Sequence, residues 1–186
     1  MVRTIATLVL ALVITLAGSL VAHAAVEIED YAPYQPQTRC SPKAKAGTLV
    51  MSRFVHRRFG GGTGSISRPC RSGGTSEHKE GRAYDWPLDA TRKRDRQTAR
   101  AFMDFVFAAD KHGNEDARAR RMGIMYVIWN DHMYSAWNGF EKSDYLSSSC
   151  KKVTRCSKTL RHRNHVHISL SRKGGRGETS WYADRL

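Results

Sequence analysis

The chain has 186 residues, with 31 Lys and Arg against 17 Asp and Glu and a formal net charge of +14. That is a single-domain length, enough to bury one real core. The excess charge favours polyanionic partners, but the basic residues are dispersed (Arg57-Arg58, Lys93-Arg94, Arg120-Arg121) without interleaved aromatics, which excludes a specific nucleic-acid surface on composition alone.

The first element is Met1-Val2-Arg3, an apolar run from Ile5 to Val21 and then Ala22-His23-Ala24, the pattern of a secretory signal peptide cleaved after Ala24. The run is short for a membrane span, is followed by acids (Glu27, Glu29, Asp30), and no later segment is apolar enough to cross a bilayer. Arg3 is the only fixed charge in residues 1–24, so cleavage lowers the charge from +14 to +13. The mature protein is expected to be soluble and off the membrane: secreted, extracellular or cell-wall associated. Its four cysteines then read as disulfides. Of the three possible pairings, Cys150–Cys156 is favoured because it closes a short Lys/Ser/Thr loop, which leaves Cys40–Cys70. A cysteine metal site is the rival, and no Cys-X-X-Cys spacing supports it.

Residues 25–47 form an N-terminal arm, rich in Pro, Gln, Tyr and Lys and without apolar period. Thr48 to Phe59 is apolar enough for a helix or a strand, and the pattern does not separate the two. Residues 60–74 carry six glycines and read as loop. Arg82 to Leu88 is strand-like. A helix is predicted over Arg92 to Lys111, where Ala99, Phe102, Met103, Val106 and Ala109 recur on one face, with His112-Gly113-Asn114 as its stop. A short helix follows over Glu115 to Arg121, ending at Gly123. Ile124 to Trp129, Asn130-Asp131 and His132 to Trp137 read as a hairpin. Asn138 to Arg163 is a polar loop, and His165 to Leu170 the last strand. Helices and an antiparallel sheet in separate blocks give an α+β fold, a small antiparallel sheet with flanking helices.

Two segments carry chemistry. Ser76-Glu77-His78-Lys79-Glu80-Gly81-Arg82-Ala83-Tyr84-Asp85 places His78 and Asp85 seven positions apart around Gly81, which suits a turn feeding a strand. His165-Val166-His167 puts two imidazoles on one strand face, roughly 6–7 Å apart, with Val166, Ile168 and Leu170 on the other. Two imidazoles and a carboxylate buried together are costly without a partner, and a divalent ion resolves that cost. The other histidines (His56, His112, His132, His162) share no spacing and read as surface. Trp86, Trp129 and Trp137 read as core before cleft. No Gly-X-Ser-X-Gly, phosphate loop or dinucleotide fingerprint is present.

The run Ser76-X-His78-X-X-Gly81-X-Ala83-X-Asp85 resembles the signature of zinc D-alanyl-D-alanine carboxypeptidases. His165-X-His167 is similar to the His-X-His of the wider superfamily of lysostaphin-type endopeptidases and the hedgehog fold. With Gly123 to Trp129 and Asn164 to Ser169, the chain looks more narrowly like an uncharacterised branch of secreted bacterial proteins with a peptidase-like C-terminal domain. The resemblance covers roughly residues 48–182 and implies a zinc peptidase-like domain over 48–186. It implies Zn2+ on His78, Asp85 and His167, and His165 beside the metal-bound water as the catalytic imidazole. Read from the residues alone, His165 could instead be a fourth ligand, which would close the site. Arg68 is the best match to the family's substrate-holding arginine, with Arg71 and Arg58 as alternatives. The Glu-X-Trp-His motif of the carboxypeptidase branch is absent, so a glutamate base is not supported.

The function expected is therefore a secreted zinc metallopeptidase, monomeric, that hydrolyses peptidoglycan peptides, with peptidoglycan or acidic cell-wall polymers as partners. A non-catalytic cell-wall binding module of the same fold is the alternative. A basic metal-dependent nuclease is a third reading, without a recognisable motif.

Overall fold

The computed structural model describes residues 28–186. The expected signal peptide, residues 1–24, lies outside the described residues. The elements are α1 (Ala46–Phe59), β1 (Ala83–Trp86), α2 (Lys93–Val106), α3 (Ala117–Met122), β2 (Ile124–Trp129), β3 (His132–Ser135), β4 (Lys142–Asp144), β5 (Val166–Leu170) and α4 (Arg172–Arg176), with short 3-10 turns between them. The five strands form one antiparallel sheet in the order β1-β5-β2-β3-β4. The α+β architecture expected from the sequence is the one observed.

The ambiguous Thr48–Phe59 stretch is helical, because Val50, Met51 and Val55 fall on one buried face of α1. Gly47 lets that helix lie against α4, where a Cβ would run into the carbonyl of Gly174. Ala99, Phe102 and Val106 bury the inner face of α2 at three- and four-residue steps.

The helix predicted to Lys111 stops at Val106. Phe107 caps it, its N–H still bonded to the Met103 carbonyl and its ring stacked on Phe140 at 4.8 Å, and Asp110 closes a separate turn by accepting hydrogen bonds from the backbone of His112 and Asn114. The short helix begins at Ala117 rather than Glu115, after Asp116 with φ of 52°. The hairpin turn is Asn130-Asp131, both at positive φ (49° and 69°), the conformation favoured between twisted strands. The predicted second arm of the hairpin ends at Ser135, and Ala136–Asn138 turn away as a 3-10 turn. The polar loop contains the edge strand β4, whose three residues are all exposed and give no apolar signal.

Strand alternation divides the sheet. Tyr84, Trp86, Val127, Ile168 and Leu170 join the helices in the main core, and each fully buried apolar side chain contributes about 1.5–3 kcal/mol. The opposite face carries Asp85, His167, Ser169, Tyr126 and Ile128, aligned by the pairs Asp85↔His167, Ile128↔His167 and Tyr126↔Ser169.

Residues 28–45 carry no helix or strand. They lie along the 3-10 turn Glu77–Glu80, bonded from Ser41 N to Lys79 O (2.7 Å) and from Lys45 N to Gly81 O (2.9 Å). Both expected disulfides form, Cys40–Cys70 and Cys150–Cys156. Among the described residues no helix is long and apolar enough to cross a membrane.

Candidate metal centre

The 3-10 turn Glu77–Glu80 ends at Gly81 in the left-handed conformation (φ 65°), and the chain turns directly into β1. A side chain at Gly81 would be strained at that φ and would strike the Lys43 carbonyl. This turn swings His78 back beside Asp85, while strand pairing sets His167 directly opposite Asp85.

Three imidazoles converge on one oxygen. Asp85 Oδ1 lies 2.8 Å from His167 Nδ1, 3.0 Å from His78 Nε2 and 3.4 Å from His165 Nε2. The outer nitrogens of two of these rings are held by acceptors. His78 Nδ1 is 2.7 Å from the Ile66 carbonyl, which can only accept, so Nδ1 carries the hydrogen. In the neutral ring His78 Nε2 then presents a bare lone pair to the carboxylate 3.0 Å away; the atom is buried without a hydrogen-bond partner. His165 Nδ1 is held in the same way, 2.8 Å from Asn164 Oδ1. His167 Nε2 meets the buried Ser169 hydroxyl at 2.9 Å. Outer-shell acceptors of this kind orient metal-ligating imidazoles, and a cation between the rings and the carboxylate would remove the lone-pair conflict at His78. Ligand atoms of His78, Asp85 and His167 all lie within 4.8 Å of one another. The donor set, two imidazole nitrogens and a carboxylate oxygen, is one that zinc takes.

Burial alone would raise the Asp85 pKa, but the His167 imidazole hydrogen-bonded to it, with His78 close beside, holds it well below the usual carboxylate range. Burial pushes His165 down against the pull of Asp85. The Tyr126 ring stacks on His167 (centroids 5.5 Å, 17°), and its hydroxyl donates to buried Glu77 at 2.6 Å.

Asp85, His165, His167 and Arg68 line one cavity of about 580 Å³. Arg68 thus lines the same cavity as three residues of the centre. Arg58 does not; its guanidinium packs over the Phe105 ring at 4.3 Å, and Arg71 is exposed without lining the cavity. Cys40–Cys70 tethers the arm next to the segment leading to His78, and Cys150–Cys156 closes the short loop between two stretches that line the cavity, Ser147 to Ser149 and Thr159 to His162. Trp86 and Trp129 are core residues, whereas Trp137 is 45% exposed and touches Tyr126 and Tyr34.

His162 corrects the sequence reading that placed it on the surface. Its ring sits 4.7 Å from His165 and 5.5 Å from His167, and with them it forms a second cluster within metal-ligand range. The residue is held at φ 49° and its carbonyl accepts from Asn130 N, so the loop is pinned with the imidazole inward. Burial, reinforced by His167 and His165, pushes its pKa down to about 2, which keeps the ring neutral, and Nδ1 is buried without a partner. The signal available in the sequence was three histidines within six positions, His162 to His167.

A family model described as VldE, C-terminal domain, matches residues 40–153, a span that includes His78 and Asp85 and ends before His162. No curated protein and no solved structure matches the chain. The matched span is more than half of the sequence, and the chain belongs to the VldE C-terminal domain family.

Proposed function

We propose that this protein is an exported zinc metallopeptidase acting on cell-wall peptides. The observation that carries the reading is the convergence of His78 Nε2, His165 Nε2 and His167 Nδ1 on Asp85 Oδ1 within 3.4 Å, with His78 Nε2 lacking any hydrogen bond. His78, Asp85 and His167 would hold the ion. When bound, zinc lowers the pKa of water to about 7 and polarises a carbonyl. His165 is farther from Asp85 than the other two rings and lies just outside β5, which favours three protein ligands and a free imidazole that moves the proton between water and leaving amine. Arg68 offers a positive charge at the cavity wall for a substrate carboxylate or carbonyl. Tyr126 and Glu77 fix the His167 ring from behind, and the loop carrying Tyr145 and His162 screens it from water. The resemblance to zinc D-alanyl-D-alanine carboxypeptidases supports the substrate class, and two disulfides suit an oxidising, extracellular compartment.

The test is incubation of the purified protein with peptidoglycan fragments and mass-spectrometric detection of new amino termini. Cleavage that a chelator abolishes and zinc restores is expected. Fragment binding without new termini would overturn the enzyme reading in favour of a binding module.

A further inference from the structure

We propose that the protein has a second binding site, for a phosphate group, in the cavity between the N-terminal arm and α4. This cavity, about 370 Å³, is lined by Arg39, Lys45, Arg82, Arg172 and Arg176, with Glu80 as its single carboxylate. It shares no lining residue with the metal centre.

Glu80 is already committed. Its Oε1 accepts from Thr38 N (3.0 Å) and Arg39 N (3.2 Å), and its Oε2 from Arg82 Nε (2.8 Å). The rest of the Arg82 fork donates to the carbonyls of Leu170 (2.7 Å) and Gln35. Arg176 pairs with Glu178 at 2.5 and 2.7 Å. Arg39, Lys45 and Arg172 are then left lining the cavity with no carboxylate among the described residues to neutralise them. The Arg172 guanidinium donates only to neutral oxygens, Pro36 O at 2.8 Å and Thr38 Oγ1 at 3.3 Å.

Uncompensated like charges around a small cavity repel one another, and a bound anion removes that repulsion. The local helix sharpens the demand. Lys45 occupies the N-cap of the 14-residue α1, without a side-chain cap and with no acid in the first turn. The position normally favours an anion or an acceptor, and here it holds a cation.

The chemistry points to phosphate. Donors from the arm (Arg39, Lys45) and from α4 (Arg172) approach from separate elements, which suits a tetrahedral multivalent oxyanion, and guanidinium forks bind phosphate oxygens in pairs. The volume lies at the lower end for small-molecule sites, room for a phosphate with a small polyol or sugar attached.

The proposal stands independently of the peptidase reading and is tested by calorimetry on the disulfide-intact mature protein at low ionic strength. Inorganic phosphate is one probe and glycerol 3-phosphate the other. One saturable site is expected, weakened about tenfold or more by Lys45→Gln and by Arg172→Ala, since a charge-assisted hydrogen bond contributes about 1.5–3 kcal/mol. Arg94→Ala and Lys111→Ala, at exposed positions outside the cavity, should change the affinity less than about twofold. Circular dichroism confirms the fold of each variant, and Lys45→Gln, the gentler change, reads the site if Arg172→Ala does not fold. Tighter binding of glycerol 3-phosphate than of phosphate would mark an esterified phosphate as the ligand; equal binding would mark the free anion. Absence of saturable binding, or equal weakening by the control variants, would overturn the proposal.

Discussion

His167 links both sides of the candidate centre: Nδ1 meets Asp85 at 2.8 Å, Nε2 meets Ser169 at 2.9 Å, and Tyr126 lies flat against the ring. His165 rests on Asn164 just before β5, with the His162 ring 4.7 Å away and Asp85 at 3.4 Å. On the proposed reading, the two histidines of one short motif divide into a ligand, His167, and a proton-moving imidazole, His165. We expect His165→Ala to retain the metal while lowering peptide hydrolysis by roughly 10²–10⁴-fold, the range for loss of a positioned general acid or base. Metal analysis and initial rates on the same preparation check this; metal loss equal to that of a ligand variant would reassign His165 as a fourth ligand. Part of this was legible beforehand. Spacing and strand alternation, both local properties, single out His78, Asp85, His165 and His167 as candidates; the choice of His167 over His165 as a ligand is what the resemblance implies. His162 was not legible, because its inward position depends on hydrogen bonds to the distant hairpin and on a left-handed backbone that no side-chain pattern announces.

At the scale of elements, the segment from Glu77 to Trp86 is a turn and a strand whose geometry depends on Gly81. Gly81→Ala would impose a strained φ and a clash with the Lys43 carbonyl, so we expect a loss of about 1–3 kcal/mol or more, measurable by denaturant unfolding. Unchanged stability would mean that the arm yields freely at Lys43. Glu80 fastens the same turn to the arm. Burial pushes its pKa up, but hydrogen bonds from Thr38, Arg82 and Arg39 and the Arg82 charge outweigh that and hold it below the usual glutamate value. A group depressed in the folded state stabilises the protein above its unfolded pKa, and that stability is lost as pH falls through the folded value. Melting temperature should therefore drop as pH falls below the ordinary glutamate range, and Glu80→Gln should flatten that drop. Parallel curves for variant and wild type would contradict the role. The edge strand β4 and the early end of α2 escaped sequence reading for related reasons. The first has no buried residue, and the second falls where Phe107 packs on Phe140, a contact between segments far apart in the chain.

For the whole molecule, a sheet with helices on one face leaves the other face to be covered by the arm and the long loop, and each cover is tied by a disulfide. The loop closed by Cys40–Cys70 spans 30 residues and that closed by Cys150–Cys156 spans 6. Chain-entropy arguments assign them about 3.5 and about 2 kcal/mol. Replacing Cys40 and Cys70 together by Ala should lower thermal stability more than replacing Cys150 and Cys156; the reverse order would place the main stabilisation in the loop. The arm's path along the Glu77–Glu80 turn makes the first pair the one that also supports His78. The centre itself is tested most directly by metal content. Purified mature protein, dialysed against zinc and then metal-free buffer, should retain one equivalent of zinc, and folded His167→Ala protein should retain none. No bound metal in either protein, or the same amount in both, would contradict the account.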